Sequence, residues 1–225
     1  MFVSKSMASK VITVDKEMPL LEAQKLMQQQ NVRHLPVVDA DNRLVGMVTD
    51  RDVRSALPSE LAKGEGNEQI RAQYAHVKVA DAMTTDLLTI SPSHTLQDAI
   101  MLIEQKKVGA FPVVDDDNKL VGVLSVRDLL RAFINVLGIG EAGTLLCILV
   151  DERVGQLKKI VDVITEENIS CGSVLVARYW DKDKRAVFPY LLSLNVARVK
   201  SRLQEMGFTL LDPMKWYIDQ LPNQK

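Results

Sequence analysis

The sequence is poor in the residues that carry most redox, metal and nucleophilic chemistry. It has two cysteines and three histidines in 225 residues. Cys147 and Cys171 lack the spacing of a zinc site or a CxxC pair, which leaves them as reduced packing residues. His34, His76 and His94 are scattered with no HExxH-like arrangement, and no nucleophile–base pair stands out. The expectation is therefore a non-enzyme with no metal and no required cofactor. Net charge is −1, so no field of one sign attracts nucleic acid or an anionic membrane. The longest purely apolar runs, such as residues 145–150, fall far short of the roughly 20 residues that cross a bilayer. The opening MFVSKSMASK has no apolar stretch of signal-peptide length. A cytoplasmic chain without membrane or nucleic-acid partners is expected.

What the sequence does have is one stretch written twice. HLPVVDADNRLVGMVTDRDV begins at His34 and AFPVVDDDNKLVGVLSVRDL begins at Ala110. A shift of 76 positions aligns residues 7–57 with 83–133 without a gap, and 19 of the 51 pairs are identical. Two copies are too few for a solenoid, so the units should bury their faces against each other.

In the first unit VITVD (11–15) alternates and is β-branched, which predicts a strand. Pro19 opens a helix striped by Leu20, Ala23, Leu26 and Met27, and residues 28–31 lead out of it. LPVVD, a DADN turn and RLVGMVT form a hairpin, and DRDVRSAL starts a second helix. The second unit repeats this β-α-β-β-α order, with a stripe of Leu96, Ala99, Ile100 and Ile103. Residues 58–80, rich in charge and glycine, predict a connector with at most one loose helix. Gly138 ends the last helix and GIGEAG breaks the chain. Beyond it the pattern is strand (144–150), helix (154–167), strand (173–180), DKDK turn, strand (185–194), helix capped by Asn195, and strand FTLLD. That β-α-β-β-α-β order is ferredoxin-like. Pro189 falls in a strand this topology makes central, so a bulge or break is expected there. The tail WYIDQLPNQK carries at most a short helix. The fold class is thus α+β or α/β, with predicted boundaries at 1–57 and 81–137 for the repeats, linkers at 58–80 and 138–143, and a last domain with tail at 144–225.

The repeated units resemble CBS domains, and the pair resembles a CBS tandem or Bateman module. The resemblance lies in the opening Met7 and Met83, the strands ending in Thr13 and Thr89, PVVD, and G-x-x-[ST]-x-x-D at Gly46-Thr49-Asp52 and Gly122-Ser125-Asp128. The C-terminal segment resembles an ACT domain, and the order of the parts is similar to accessory proteins associated with acetoin utilisation. The resemblance implies a regulatory protein, an energy sensor rather than a catalyst. Its repeats would bind an adenosine-containing ligand (AMP, ADP, ATP or S-adenosylmethionine), and it would act as a homodimer on a client protein.

The G-x-x-[ST]-x-x-D motif has two readings. The bland one is a capping box, with hydroxyl and acid satisfying free helix N–H groups. In the other, the helix N-terminus favours phosphate, the acid accepts a ribose diol, and Thr49 and Ser125 donate to ligand oxygens. By family resemblance the adenine would lie against Thr13, Val32, Arg33, His34 and Pro36 in the first unit. Thr89, Val108, Gly109, Ala110 and Pro112 are the equivalents in the second. Grouped by unit, Arg33, His34, Arg51 and Arg54 make the first pocket cationic, while Gly109 and Ala110 leave the second open beside Arg127 and Arg131. The first pocket is expected to hold a polyphosphate. Asp52 and Asp128 are the expected ribose ligands. Asp115, Asp116, Asp117 and Asn118 are turn residues, because an EF-hand would need Gly and Glu where Leu120 and Val126 stand. In the ACT-like part the ligand loop would be Asp151, Val154 and Gly155, although it departs from D-x-P-G, and sheet-to-sheet dimerisation is the plainer role. The rival to all of this is a structural interaction module with no bound nucleotide.

Overall fold

Each repeat is built on an antiparallel hairpin: β1 (His34–Val38) with β2 (Leu44–Thr49), and β3 (Ala110–Val114) with β4 (Leu120–Ser125). The structure, a computed structural model, describes residues 1–62, 68–181 and 183–211. Contacts divide the chain into Met1–Leu130 and Arg131–Lys225. The hairpins lie between α1 (Leu20–Gln30) and α2 (Asp50–Ala56) in the first repeat, and between α6 (Leu96–Lys106) and α7 (Val126–Leu137) in the second. Helix α1 buries Leu20, Ala23 and Met27 on the predicted stripe, runs to Gln30, and stops where Asn31 turns left-handed at φ 52°.

The predicted strand at 11–15 is a single parallel rung. The Val14 N–H donates to Pro36 O at 3.0 Å and the Val38 N–H donates to Val14 O at 3.1 Å. The next rung, at Ile12, would require an N–H from Pro36, and proline has none. Ile90 is held by the equivalent bonds to Pro112 and Val114, and it stops for the same reason.

The described residues of the connector form more helix than its composition predicts. Helix α3 (Ser59–Ala62) brings Leu61 into the first repeat's core, where it is fully buried, and α4 (Glu68–Gln73) packs Ile70 against the same core. Helix α5 (Val79–Ala82) also belongs there. Val79 is fully buried in the first repeat's cluster, and its N–H donates to Met18 O at 2.9 Å. The second repeat receives the matching segment from the N-terminus. Val3, in a 3-10 turn (Val3–Lys5), is fully buried and donates to His94 O at 2.8 Å. Each repeat thus covers itself with residues that precede the other, related by the same 76-position shift.

The hairpin turns meet by the same rule. Asn42 and Asn118, both left-handed (φ 62° and 60°), reach across. Asn42 Nδ2 donates to Leu120 O (3.0 Å) and Asn118 Nδ2 to Leu44 O (3.2 Å). The main chains exchange two further bonds, Leu44 N–H to Asn118 O and Leu120 N–H to Asn42 O. Asp39 and Asp115 serve their own turns, each accepting two backbone N–H groups. The unit accordingly has a local two-fold relation between its repeats.

The second unit contains β5 (Thr144–Leu145), β6 (Cys147–Asp151), α8 (Gln156–Glu166), β7 (Cys171–Asp181), β8 (Lys184–Leu191), α9 (Ala197–Glu205) and β9 (Thr209–Leu211). Its sheet runs β9-β6-β8-β7, with every pairing antiparallel and β5 beside β8. Strand β8 passes through Pro189 without a break. The Leu146 N–H donates to Pro189 O, so the missing proline N–H faces Leu146, and the interruption falls there, between β5 and β6. The cap of α9 is Val196 rather than Asn195, without a side-chain hydrogen bond. The DKDK turn at residue 182 and the tail from 212 onward lie outside the described residues. Among the described residues no helix is long and apolar enough to cross a membrane.

Candidate functional site

The junctions from β2 to α2 and from β4 to α7 are built alike. Asp52 Oδ2 accepts from the Thr49 N–H (2.8 Å) and Oγ1 (2.7 Å), while Thr49 Oγ1 accepts from the Asp52 N–H (3.3 Å). Asp128 Oδ2 accepts from the Ser125 N–H (3.0 Å) and Oγ (2.5 Å), and Ser125 Oγ accepts from the Asp128 N–H (3.3 Å). The capping reading is therefore realised at both places. It is not a ligand signal by itself, because Thr95 and Asp98 make the same box at the start of α6. At Asp52, however, both bonds use Oδ2, and Oδ1 accepts no hydrogen bond among the described residues. The N-terminus of α2 offers little to phosphate. The helix has seven residues, and Asp50 and Asp52 already stand in its first turn.

A cleft of about 510 Å³ opens beside this junction, a volume suited to a small-molecule ligand. It combines the two repeats. His34, Met47, Thr49, Asp50, Arg51 and Asp52 come from the first, while Val108, Gly109, Ala110 and Pro112 come from the second, together with Lys107, Thr84 and residues 86–88. Of the sequence-predicted residues, Thr13, Val32, Arg33, Pro36, Thr89, Ser125, Arg127 and Asp128 are not among its walls. Grouping candidates by repeat is thus corrected: the open Gly109–Ala110 wall faces the first repeat's cap, not its own. Thr84, Asp86, Leu87 and Leu88 were not singled out by sequence. They arrive because Thr84 bridges Met47 by two 2.9 Å backbone bonds, with the Met83 side chain lying over Gly46.

The cleft is not cationic. Arg51 and Lys107 are set against Asp50, Asp52 and Asp86, and Arg54 pairs with Asp50 at 3.1 Å. Burial holds the His34 pKa below its ordinary 6.5; Asp50 and Asp52 oppose the shift and Arg33 reinforces it, so the imidazole is neutral at pH 7.

In the second unit a hollow of about 460 Å³ lies at the β6–α8 loop. Asp151 and Val154 line it, with Arg153, Arg178 and Arg185. Gly155 caps α8 at φ 91°. Glu152 pairs with Arg185, whose Nε is buried without a hydrogen-bond partner among the described residues.

The CBS domain family model matches residues 3–59 and 79–135, one match for each repeat. Inosine-5'-monophosphate dehydrogenase of Bifidobacterium longum is 34% identical over 121 residues, 53% of this chain but only 20% of that protein. The structure of CBSX2, a CBS-pair protein of Arabidopsis thaliana, in complex with AMP is 28% identical. It covers 59% of this chain and 96% of that one, with a TM-score of 0.50. A Vibrio cholerae protein described as an acetoin utilization protein, AcuB, is 26% identical and covers 62% of this chain and 95% of its own, with a TM-score of 0.52. With the family model matching each repeat in turn and one cleft lined by both, this chain belongs to the CBS domain family as a tandem pair.

Proposed function

We propose that the CBS pair binds an adenosine-containing ligand and that the protein is a regulator rather than a catalyst. The observation that carries this reading is the cleft beside Asp52. A carboxylate with one oxygen uncommitted among the described residues shares the cleft with Gly109 and Ala110, a wall small enough to admit a purine, and with the buried Pro112. An acid so placed can accept both hydroxyls of a cis-diol. The AMP complex of CBSX2 supports the ligand class. The dehydrogenase likeness spans only a fifth of that enzyme.

The second unit is read as ACT-like from its β-α-β-β-α-β order, with assembly of a homodimer or sensing of a second small molecule as its role. Strand β7 pairs only with β8 among the described residues, and Leu175 and Val176 are exposed on it, which suits sheet-edge pairing. The three arginines at the β6–α8 loop would favour an anionic group on any ligand there.

Thermal unfolding of the full chain with adenosine, AMP and ATP tests the reading. Ligand at 100 times Kd adds about 2.7 kcal/mol of stability. No shift with any of the three at millimolar concentration would return the clefts to plain capped junctions and the protein to an interaction module.

A further inference from the structure

The hollow at the β6–α8 loop carries charges that do not cancel. Its walls come from that loop, the first turn of α8, and strands β7 and β8. Arg153, Arg178 and Arg185 stand against Asp151 and Glu152. Glu152 pairs with Arg185, which leaves two cations to one acid. Neither Arg153 nor Arg178 makes an ion pair among the described residues. The excess is a single positive charge, which matches a monoanion rather than a neutral zwitterion.

Arg185 also has a donor to spare. Its Nε is buried with no hydrogen-bond partner among the described residues, an arrangement that native interiors rarely keep. The side chain is 32% exposed, so a modest turn would present this N–H to an oxygen entering the hollow. Planar guanidinium groups suit carboxylates, which they hold through paired N–H donors.

The rest of the wall is aliphatic. Val150 and Val187 reach it from the unit's buried core. Val154, Leu157 and Val176 line it too, yet all three are exposed, Val154 fully. Covering such apolar surface is favourable, and a short hydrocarbon tail would cover it where a bare inorganic anion would not.

Deepening the sensing role proposed for this unit, we infer that the hollow takes a small aliphatic monocarboxylate without an ammonium group. The carboxylate lies against Arg153 and Arg178, and the tail covers Val154, Leu157 and Val176. An α-amino acid would bring its ammonium among the same guanidinium groups, with only Asp151 to offset the like charge.

Isovalerate and L-valine are matched probes, since valine is isovalerate with an added ammonium. Isovaleramide removes the charge, and inorganic phosphate removes the tail. Amide resonances of the isotopically labelled full chain report where each binds. Isovalerate at millimolar concentration should move those of Val154, Gly155, Leu157 and Val176, and the other three probes should need about tenfold more. Arg178→Gln, at an exposed position, should weaken isovalerate about tenfold and leave the circular dichroism spectrum unchanged. L-valine or phosphate binding as tightly as isovalerate would overturn the ligand class and leave the sensing role standing. Shifts at these residues that follow protein concentration and ignore all four probes would overturn the inference in favour of a second copy of the chain. No shift with any probe would overturn the site and the sensing role together.

Discussion

Replacing Gly46 by alanine probes the contact that joins one repeat to the opening of the next. Gly46 has no left-handed backbone to relieve, so the penalty is one of space. An added Cβ would lie 2.5 Å from Met83 Sδ, 3.2 Å from its Cγ and 3.3 Å from Thr84 O. The sulfur can swing aside, but the carbonyl is tied to the Met47 N–H at 2.9 Å, and Thr84 returns a second bond of the same length. Overpacking of this kind costs about 1–3 kcal/mol. Loss of glycine freedom in the unfolded chain offsets about 0.4–1 kcal/mol of it. Gly46→Ala should therefore destabilise the chain by about 1–2 kcal/mol in urea titrations followed by circular dichroism. In combination with Met83→Ala the damage should be less than additive, with a coupling of about 0.5–3 kcal/mol. Gly122→Ala with Met7→Ala should behave alike. A neutral Gly46→Ala, or additive losses in the cycle, would refute the reciprocal packing.

Asp52→Ala should lower stability by about 0.5–2 kcal/mol through the lost cap and should also weaken adenosine binding; Asp98→Ala, an identical cap away from the cleft, should spare binding in the same titration. Acidification should reveal His34. Its folded pKa lies below 6.5, so from that folded value up to 6.5 the unfolded chain binds more protons, and stability falls as pH drops through this window. Urea midpoints at pH 7.5 and 5.5 should move less in His34→Gln than in the native chain, and equal shifts would exclude the histidine. Burial pushes the Cys147 thiol up to about 11, so a thiol reagent should label it only on unfolding, which mass spectrometry of quenched samples would detect.

The repeats, their hairpins and both capping motifs were legible because each is local: alternation, a turn and a cap within about twenty residues. The site was legible only in part. The 76-position shift says which residues are equivalent, not which face each other, and Thr49 beside Gly109 has the same sequence signature as Thr49 beside Arg33. The prolines show a similar limit. Pro36 ended a ladder that alternation predicted, and Pro189 moved a break onto the strand opposite, because a missing N–H acts on whichever neighbour it faces. Leu61 and Val79 sit in a stretch whose average composition reads as linker, yet two well-placed aliphatic side chains suffice to anchor it.

The traded covers, Val3 on one half and Val79 on the other, make the two halves hostages to each other. Severed between them, neither fragment would carry the lid for its own core, and each would have to borrow one from its counterpart or from an identical molecule. A chain holding a single copy could close only as a pair of such chains. Joining the copies in tandem makes that loan permanent, at an effective concentration no dilution can lower.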